Sequence, residues 1–272
     1  MQEKFKPDFF PHPTNTSRDF AYIPEDPEVK ESDVEILVDG QEISARLFVP
    51  AFPKGKVPGV LMAHGWRGDK LGSTYHARRL TKQGLACLTF DFRGHGSSQG
   101  DISYLTRQDF LNDAIAAYDF LLQVPDVDPD NISIAGSSFG AYIGAILSKE
   151  RKLKSMVLRV PADYPDKDFN SPRMQTADKP GAMEWRNLVR QSDDTEALRA
   201  VHNFSGDVLI VESEKDTAVP HGTIQSYLNA VPDPKRTQYI LMKGAPHAIG
   251  YNKKFVREFG NILLDWFGKE SK

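Results

Sequence analysis

Apolar residues recur along this chain with two periods, and the change from one to the other predicts its elements. Val34, Ile36 and Val38 alternate with polar neighbours, as do Ile43, Ala45 and Leu47. Alternation of this kind marks half-buried strands, and Asp39-Gly40 between the two runs predicts a hairpin. Further on, the runs at 57–63, 85–90, 131–135, 155–160, 208–211 and 238–242 are largely apolar and short, as expected of strands covered on both faces. Helical spacing separates them. After a Thr106-x-x-Asp109 start, Phe110, Leu111, Ala114, Ile115, Tyr118, Leu121 and Leu122 form one stripe, and Phe255, Phe259, Ile262, Leu263 and Trp266 form another. Both stripes read as core. Strands alternating with helices predict an α/β fold: a mostly parallel twisted sheet with helices on both faces.

Two stretches depart from this rhythm. Residues 1–32 carry Pro7, Pro11, Pro13, Pro24 and Pro27 among Phe5, Phe9, Phe10, Phe20 and Tyr22. The prolines oppose helix and central strand, and the aromatics oppose a freely solvated chain. An extended arm is expected, lying on the domain at 33–272 or on a second subunit of a homodimer. Residues 161–206 form the other departure, a polar stretch with short helical pieces around Trp185 and Leu198. It reads either as a small helical cap over a binding site or as a plain pair of connecting helices.

Composition narrows the function. The 272 residues carry a net charge of −3, and the short clusters Lys152, Lys154 and Lys253-Lys254 read as solvated faces, so no nucleic-acid partner is expected. The lone cysteine, Cys87, sits in an apolar run, which excludes an intrachain disulfide and suits a small buried hydrophobe. No apolar run approaches the ~18 residues of a membrane span, and residues 1–7 lack a signal-peptide core. A soluble, cytoplasmic protein is expected.

The chemistry centres on Gly136-Ser137-Ser138-Phe139-Gly140, placed between the run at 131–135 and a helical segment at 141–147. A strand, a sharp turn and a helix would lift the Ser138 hydroxyl out of the backbone. A serine hydroxyl is a poor nucleophile unless a base takes its proton and a third group orients that base. Of seven histidines, only His247 follows the last strand in a Gly/Pro loop; His221 reads as a surface residue at a helix start. The acid has several candidates. Asp216, Glu212 and Glu214 all follow the run at 208–211, and Asp163 follows the run before it.

In order and spacing, these features resemble the α/β-hydrolase superfamily from about residue 33 to the C-terminus. Within it the chain is similar to the compact serine esterases, dienelactone-hydrolase-like and feruloyl-esterase-like. The family order is serine, acid, histidine. Asp216-Thr217-Ala218-Val219-Pro220 resembles the segment that carries the acid in many members, which favours Asp216. The resemblance implies an oxyanion hole made by the N–H of Phe139 and, through the His64-Gly65 pair, the N–H of Trp66. His64 itself reads as a brace for that loop. Asp91-Phe92-Arg93-Gly94-His95-Gly96-Ser97-Ser98 matches a family segment with a structural role. The implied activity is serine hydrolysis of a carboxylic ester through an acyl-enzyme, on a small-molecule acyl substrate, with no metal or organic cofactor. Thioester or small-peptide hydrolysis would use the same residues, and a non-catalytic binding protein could share the scaffold. Trp185 is the expected substrate-binding residue of the insertion.

Overall fold

The computed structural model describes residues 26–176 and 179–270. Its strands are β1 (Val29–Val38), β2 (Gln41–Pro50), β3 (Val57–Ala63), β4 (Ala86–Phe90), β5 (Val127–Ser137), β6 (Ser155–Arg159), β7 (Asp207–Lys215) and β8 (Thr237–Pro246). They form one eight-stranded sheet in the order β1-β2-β4-β3-β5-β6-β7-β8. The β1-β2 and β2-β4 pairs are antiparallel, and every later pair is parallel. The helices are α1 (Leu71–Thr81), α2 (Arg107–Leu122), α3 (Phe139–Glu150), α4 (Arg173–Thr176), α5 (Ala182–Asn187), α6 (Glu196–Asn203), α7 (His221–Ala230) and α8 (Lys253–Glu270).

Each parallel strand feeds both faces of the sheet because successive side chains point opposite ways. In β3, Leu61 and Ala63 join a core under α2, α3, α6 and α7, together with Phe110, Tyr142, Leu198 and Tyr227. Val60 and Met62 join a second core under α1 and α8, with Leu80, Phe259 and Leu263. The fully apolar runs in the sequence therefore reflect strands buried on both sides. Parallel connection also brings the loops after β3, β4, β5, β6, β7 and β8 to one edge of the sheet, which is where ligands bind in such folds.

The hairpin turns at Asp39-Gly40, where φ is 49° and 79°. Two positive φ values in succession are what a two-residue hairpin matched to strand twist requires. The first strand begins at Val29 and not at residue 33, so the last part of the expected arm belongs to the sheet. Lys30, Glu31 and Ser32 disguise this start because they are polar. Their backbone nonetheless pairs with β2, and the Glu31 carboxylate takes two hydrogen bonds from Arg78 on α1. The rest of that arm, residues 1–25, lies outside the described residues.

The expected insertion divides in two. α6 packs against α3 and α7, with Ala197, Leu198 and Val201 buried, and so serves as the crossover helix between β6 and β7. Before it come a 3-10 turn (Asp166–Asp168) and the short helices α4 and α5. The segment after α5 is anchored by Asp163. Its carboxylate accepts from Arg190 at 3.0 Å and from the Thr195 hydroxyl at 3.0 Å, and Arg190 also donates to Thr223 on α7.

Candidate active site

The Gly136–Gly140 pentapeptide occupies the junction of β5 and α3. Ser138 has φ 53° and ψ −113°, a backbone conformation that L-residues rarely adopt. Surrounding bonds enforce it. The Ser138 N–H donates to the Arg159 carbonyl at 2.9 Å, and the Ser138 carbonyl accepts from Ala141, Tyr142 and Ala162. The flanking glycines are needed for space. A Cβ on Gly136 would lie 2.5 Å from the Gly140 carbonyl oxygen, and one on Gly140 would run into the Ala63 carbonyl.

Behind the turn lies the loop after β3. A Cβ on Gly65 would stand 3.3 Å from the Ser137 carbonyl oxygen and 3.4 Å from Ser138 Cβ, so this loop is packed tightly against the serine turn. Next to it, the Trp66 ring meets the Phe139 ring edge-on at 5.3 Å. Among the described residues, neither the Trp66 N–H nor the Phe139 N–H donates to an acceptor of the protein. Helix starts leave such donors free, and α3 starts at Phe139. His64 braces the loop. Its Nδ1 faces the Gly65 carbonyl at 2.8 Å, and its Nε2 accepts the Phe92 N–H at 3.2 Å, so the neutral Nδ1–H form satisfies both. Burial holds the His64 pKa below the usual histidine range. The segment after β4 is structural in the same way: Asp91 binds the Lys70 ammonium and the Ser97 N–H, and Arg93 pairs with the buried Asp113.

His247 and Asp216 meet across the ends of β7 and β8. Their Nδ1 and Oδ2 atoms are 2.7 Å apart. The other carboxylate oxygen of Asp216 accepts from the Ala218 and Val219 N–H groups, both at 2.8 Å. The Asp-Thr-Ala-Val-Pro string thus folds back on its own aspartate and fixes the direction in which it presents Oδ2. The Asp216 side chain is almost fully buried, and that of His247 remains 20% exposed. The rival carboxylates are otherwise engaged: Glu212 by His221 and Tyr239, Glu214 by the Gly244 N–H, and Asp163 by Arg190 and Thr195.

One residue of an apolar strand joins these parts. Arg159, at the end of β6, is buried and donates to Ser137 Oγ at 2.8 Å and to the His247 carbonyl at 2.6 Å. It also reaches Ser213 Oγ on β7 at 3.2 Å. Burial lowers its pKa to about 10, opposed by the Asp216 charge, so it stays cationic at neutral pH. The available signal was the arginine in Ser-Met-Val-Leu-Arg-Val, since a charge in a doubly covered strand needs partners.

Trp185 has other neighbours. Arg190 covers its ring at 4.1 Å, and it lines a cavity of about 570 Å³ with Pro165, Leu188 and Val189. Ser138, His247, Trp66 and Phe139 do not line that cavity.

Residues 39–200 match the family described as X-Pro dipeptidyl-peptidase (S15 family). The chain belongs to this family. The S15 family is of the α/β-hydrolase type, so this member is a hydrolase of that fold. An uncharacterized protein of Mycobacterium tuberculosis is 30% identical to it over 84% of this chain and 74% of its own length. A thiohydrolase of Aspergillus aculeatus is 34% identical over 44% of this chain and 38% of its own length. Among solved structures, Est1E of Butyrivibrio proteoclasticus with bound ferulic acid superposes with a TM-score of 0.68, at 21% identity, covering 87% of this chain and 98% of the other. Among the described residues of this S15 member, no group of histidine, cysteine and acidic side chains is arranged to hold a metal ion, and no helix is long and apolar enough to cross a membrane.

Proposed function

We propose that this chain is a serine hydrolase of carboxylic esters, with Ser138 as nucleophile, His247 as base and Asp216 as the acid that orients it. The observation that carries this reading is the 2.7 Å contact between His247 Nδ1 and an Asp216 carboxylate whose second oxygen is pinned by two amides. Donation from Nδ1–H to Asp216 leaves Nε2 as the nitrogen that takes the serine proton. Ser138 Oγ then attacks the acyl carbon. The free N–H groups of Trp66 and Phe139 receive the charge that develops on the carbonyl oxygen. His247 returns the proton to the leaving alcohol, and water resolves the acyl-enzyme by the same steps.

The reading is tested by fluorophosphonate labelling and hydrolysis of 4-nitrophenyl esters. Ser138→Ala should abolish labelling and lower kcat by at least about 10³-fold, and Asp216→Asn should cost somewhat less. Labelling that persists in Ser138→Ala would refute the assignment.

A thioester substrate is the second reading, supported by the thiohydrolase relative. A thioester assay run beside the ester series decides between them. Removal of a dipeptide, which the family description suggests, requires capture of a free α-ammonium group. The charged side chains packed on Trp66 and Tyr164 are guanidinium groups, which would repel it. Turnover of a Gly-Pro-4-nitroanilide at a rate matching the esters would reverse that preference.

A further inference from the structure

Two buried guanidinium groups beside the candidate nucleophile have no carboxylate to balance them. Arg173, on α4, is 5% exposed, and Arg107, at the start of α2, is 1% exposed. Arg173 lies flat against Trp66, with Cζ 3.6 Å from the ring centroid, and stands 5.2 Å from the Phe139 ring. It donates to the Tyr164 hydroxyl at 3.0 Å. Arg107 approaches the same tyrosine, with Cζ 5.4 Å from its ring, and donates to the Tyr142 hydroxyl and the Pro165 carbonyl. Each keeps a buried Nε–H with no partner. Three other buried cations are ion-paired, Arg93 with Asp113, Lys70 with Asp91 and Arg190 with Asp163, while Arg159 is bound by hydroxyl and carbonyl oxygens and balanced by the nearby Asp216 charge. Among the described residues, no acidic side chain comes within ion-pair distance of Arg107 or Arg173.

This arrangement is costly for the protein by itself. Desolvating a guanidinium without a counter-ion is unfavourable, and contact with aromatic faces offsets only part of that cost. Three like charges around one tyrosine ring, those of Arg107, Arg173 and Arg186 at Tyr164, add repulsion. The position of the excess charge has meaning. Arg173 packs on the side chains of Trp66 and Phe139, the two residues whose N–H groups are free. A substrate bound there would bring its own groups within reach of the guanidinium.

We propose that the site takes esters that carry a carboxylate, with Arg173 as the residue that recognises it and Arg107 reinforcing the local positive field. The proposal rests on the serine-hydrolase reading above. A planar guanidinium held by stacking is suited to a carboxylate, which it can meet with two parallel N–H donors. The anion would supply the charge that the protein omits.

The test compares substrates that differ in one charge. Mono-4-nitrophenyl adipate and 4-nitrophenyl hexanoate form one pair, with the carboxylate on the acyl side. 4-Acetoxybenzoate and 4-methylphenyl acetate form the other, with the carboxylate on the alcohol side. For at least one pair, Arg173→Gln should lower the anionic-to-neutral ratio of kcat/KM by about tenfold to a hundredfold relative to the wild-type protein, the scale of a lost hydrogen bond to a charged group. A structural role would depress both members of a pair alike, and unchanged ratios in both pairs overturn the proposal. Should Arg173→Gln not fold, the wild-type protein decides through competitive inhibition: benzoate should inhibit at least about tenfold more strongly than benzamide, and equal inhibition overturns the proposal. If the wild-type protein hydrolyses neither neutral ester, the esterase reading fails instead. The anion site is then read from melting temperature, which benzoate should raise more than benzamide does.

Discussion

Single residues in this molecule are held in protonation states that their burial dictates, and His76 shows the consequence for stability. It lies inside α1 against Phe259, buried, with its Nδ1 unpartnered. Burial, reinforced by the charges of Arg79 and Arg159, lowers its pKa from 6.5 to about 3. His95 is lowered to about 3 as well, again mainly by burial. The unfolded chain binds a proton at each of these sites as pH falls below 6.5, whereas the folded chain does not. Stability is therefore present above that pH and lost between 6.5 and about 3, at roughly 1.4 kcal/mol per pH unit for each histidine. His76→Phe removes one of these sites. Urea unfolding at pH 7 and pH 5 should show a loss on acidification smaller by about 2 kcal/mol in the variant. Equal losses in the two proteins would place the acid sensitivity elsewhere.

At the scale of elements, what the sequence made legible was local. Asp39-Gly40 predicted its hairpin because the turn needs two residues that tolerate positive φ, and the turn forms there. The expected helix start at Thr106 is present because its side chain and that of Asp109 cap each other's backbone N–H groups. The serine turn was legible from spacing, since its glycines answer to clashes a few residues away. What stayed hidden depends on distant partners. Arg107 and Arg173 were unremarkable in the sequence, and Arg159 signalled only a need for partners, because their acceptors and stacking rings lie on other elements. Trp185 is expected at the substrate, and its surroundings, Pro165, Leu188 and Arg190, come together in a way no local pattern encodes. Half-buried and stacked by Arg190, Trp185 should contribute about 1–2 kcal/mol through area and cation–π contact. Trp185→Ala should lower the melting temperature by a few degrees. Relative kcat/KM across an ester chain-length series should hold. A shift in those ratios with little change in melting temperature would instead bring part of the substrate to the cavity at 165–194.

At the scale of the whole molecule, eight strands and two helical layers deliver one working edge, and a single guanidinium spans its centre. Arg159 ties the turn after β5, the end of β7 and the loop after β8, three segments far apart in sequence. Opening the histidine loop alone would strip a buried cation of its shortest bond, the one to the His247 carbonyl. The loop and the serine turn should therefore come apart together or not at all. In amide hydrogen exchange, residues 136–139 and 245–249 should behave as one cooperative unit with a shared opening free energy. Arg159→Met should split that unit, so that the 245–249 amides exchange at least about tenfold faster while those of β3 keep their protection. If the two segments exchange independently in the wild-type protein, the guanidinium does not couple them. On that expectation the serine turn and the histidine loop share one opening event: thermal fluctuation reaches Ser138 and His247 as a pair, and the edge stays assembled for as long as either half does.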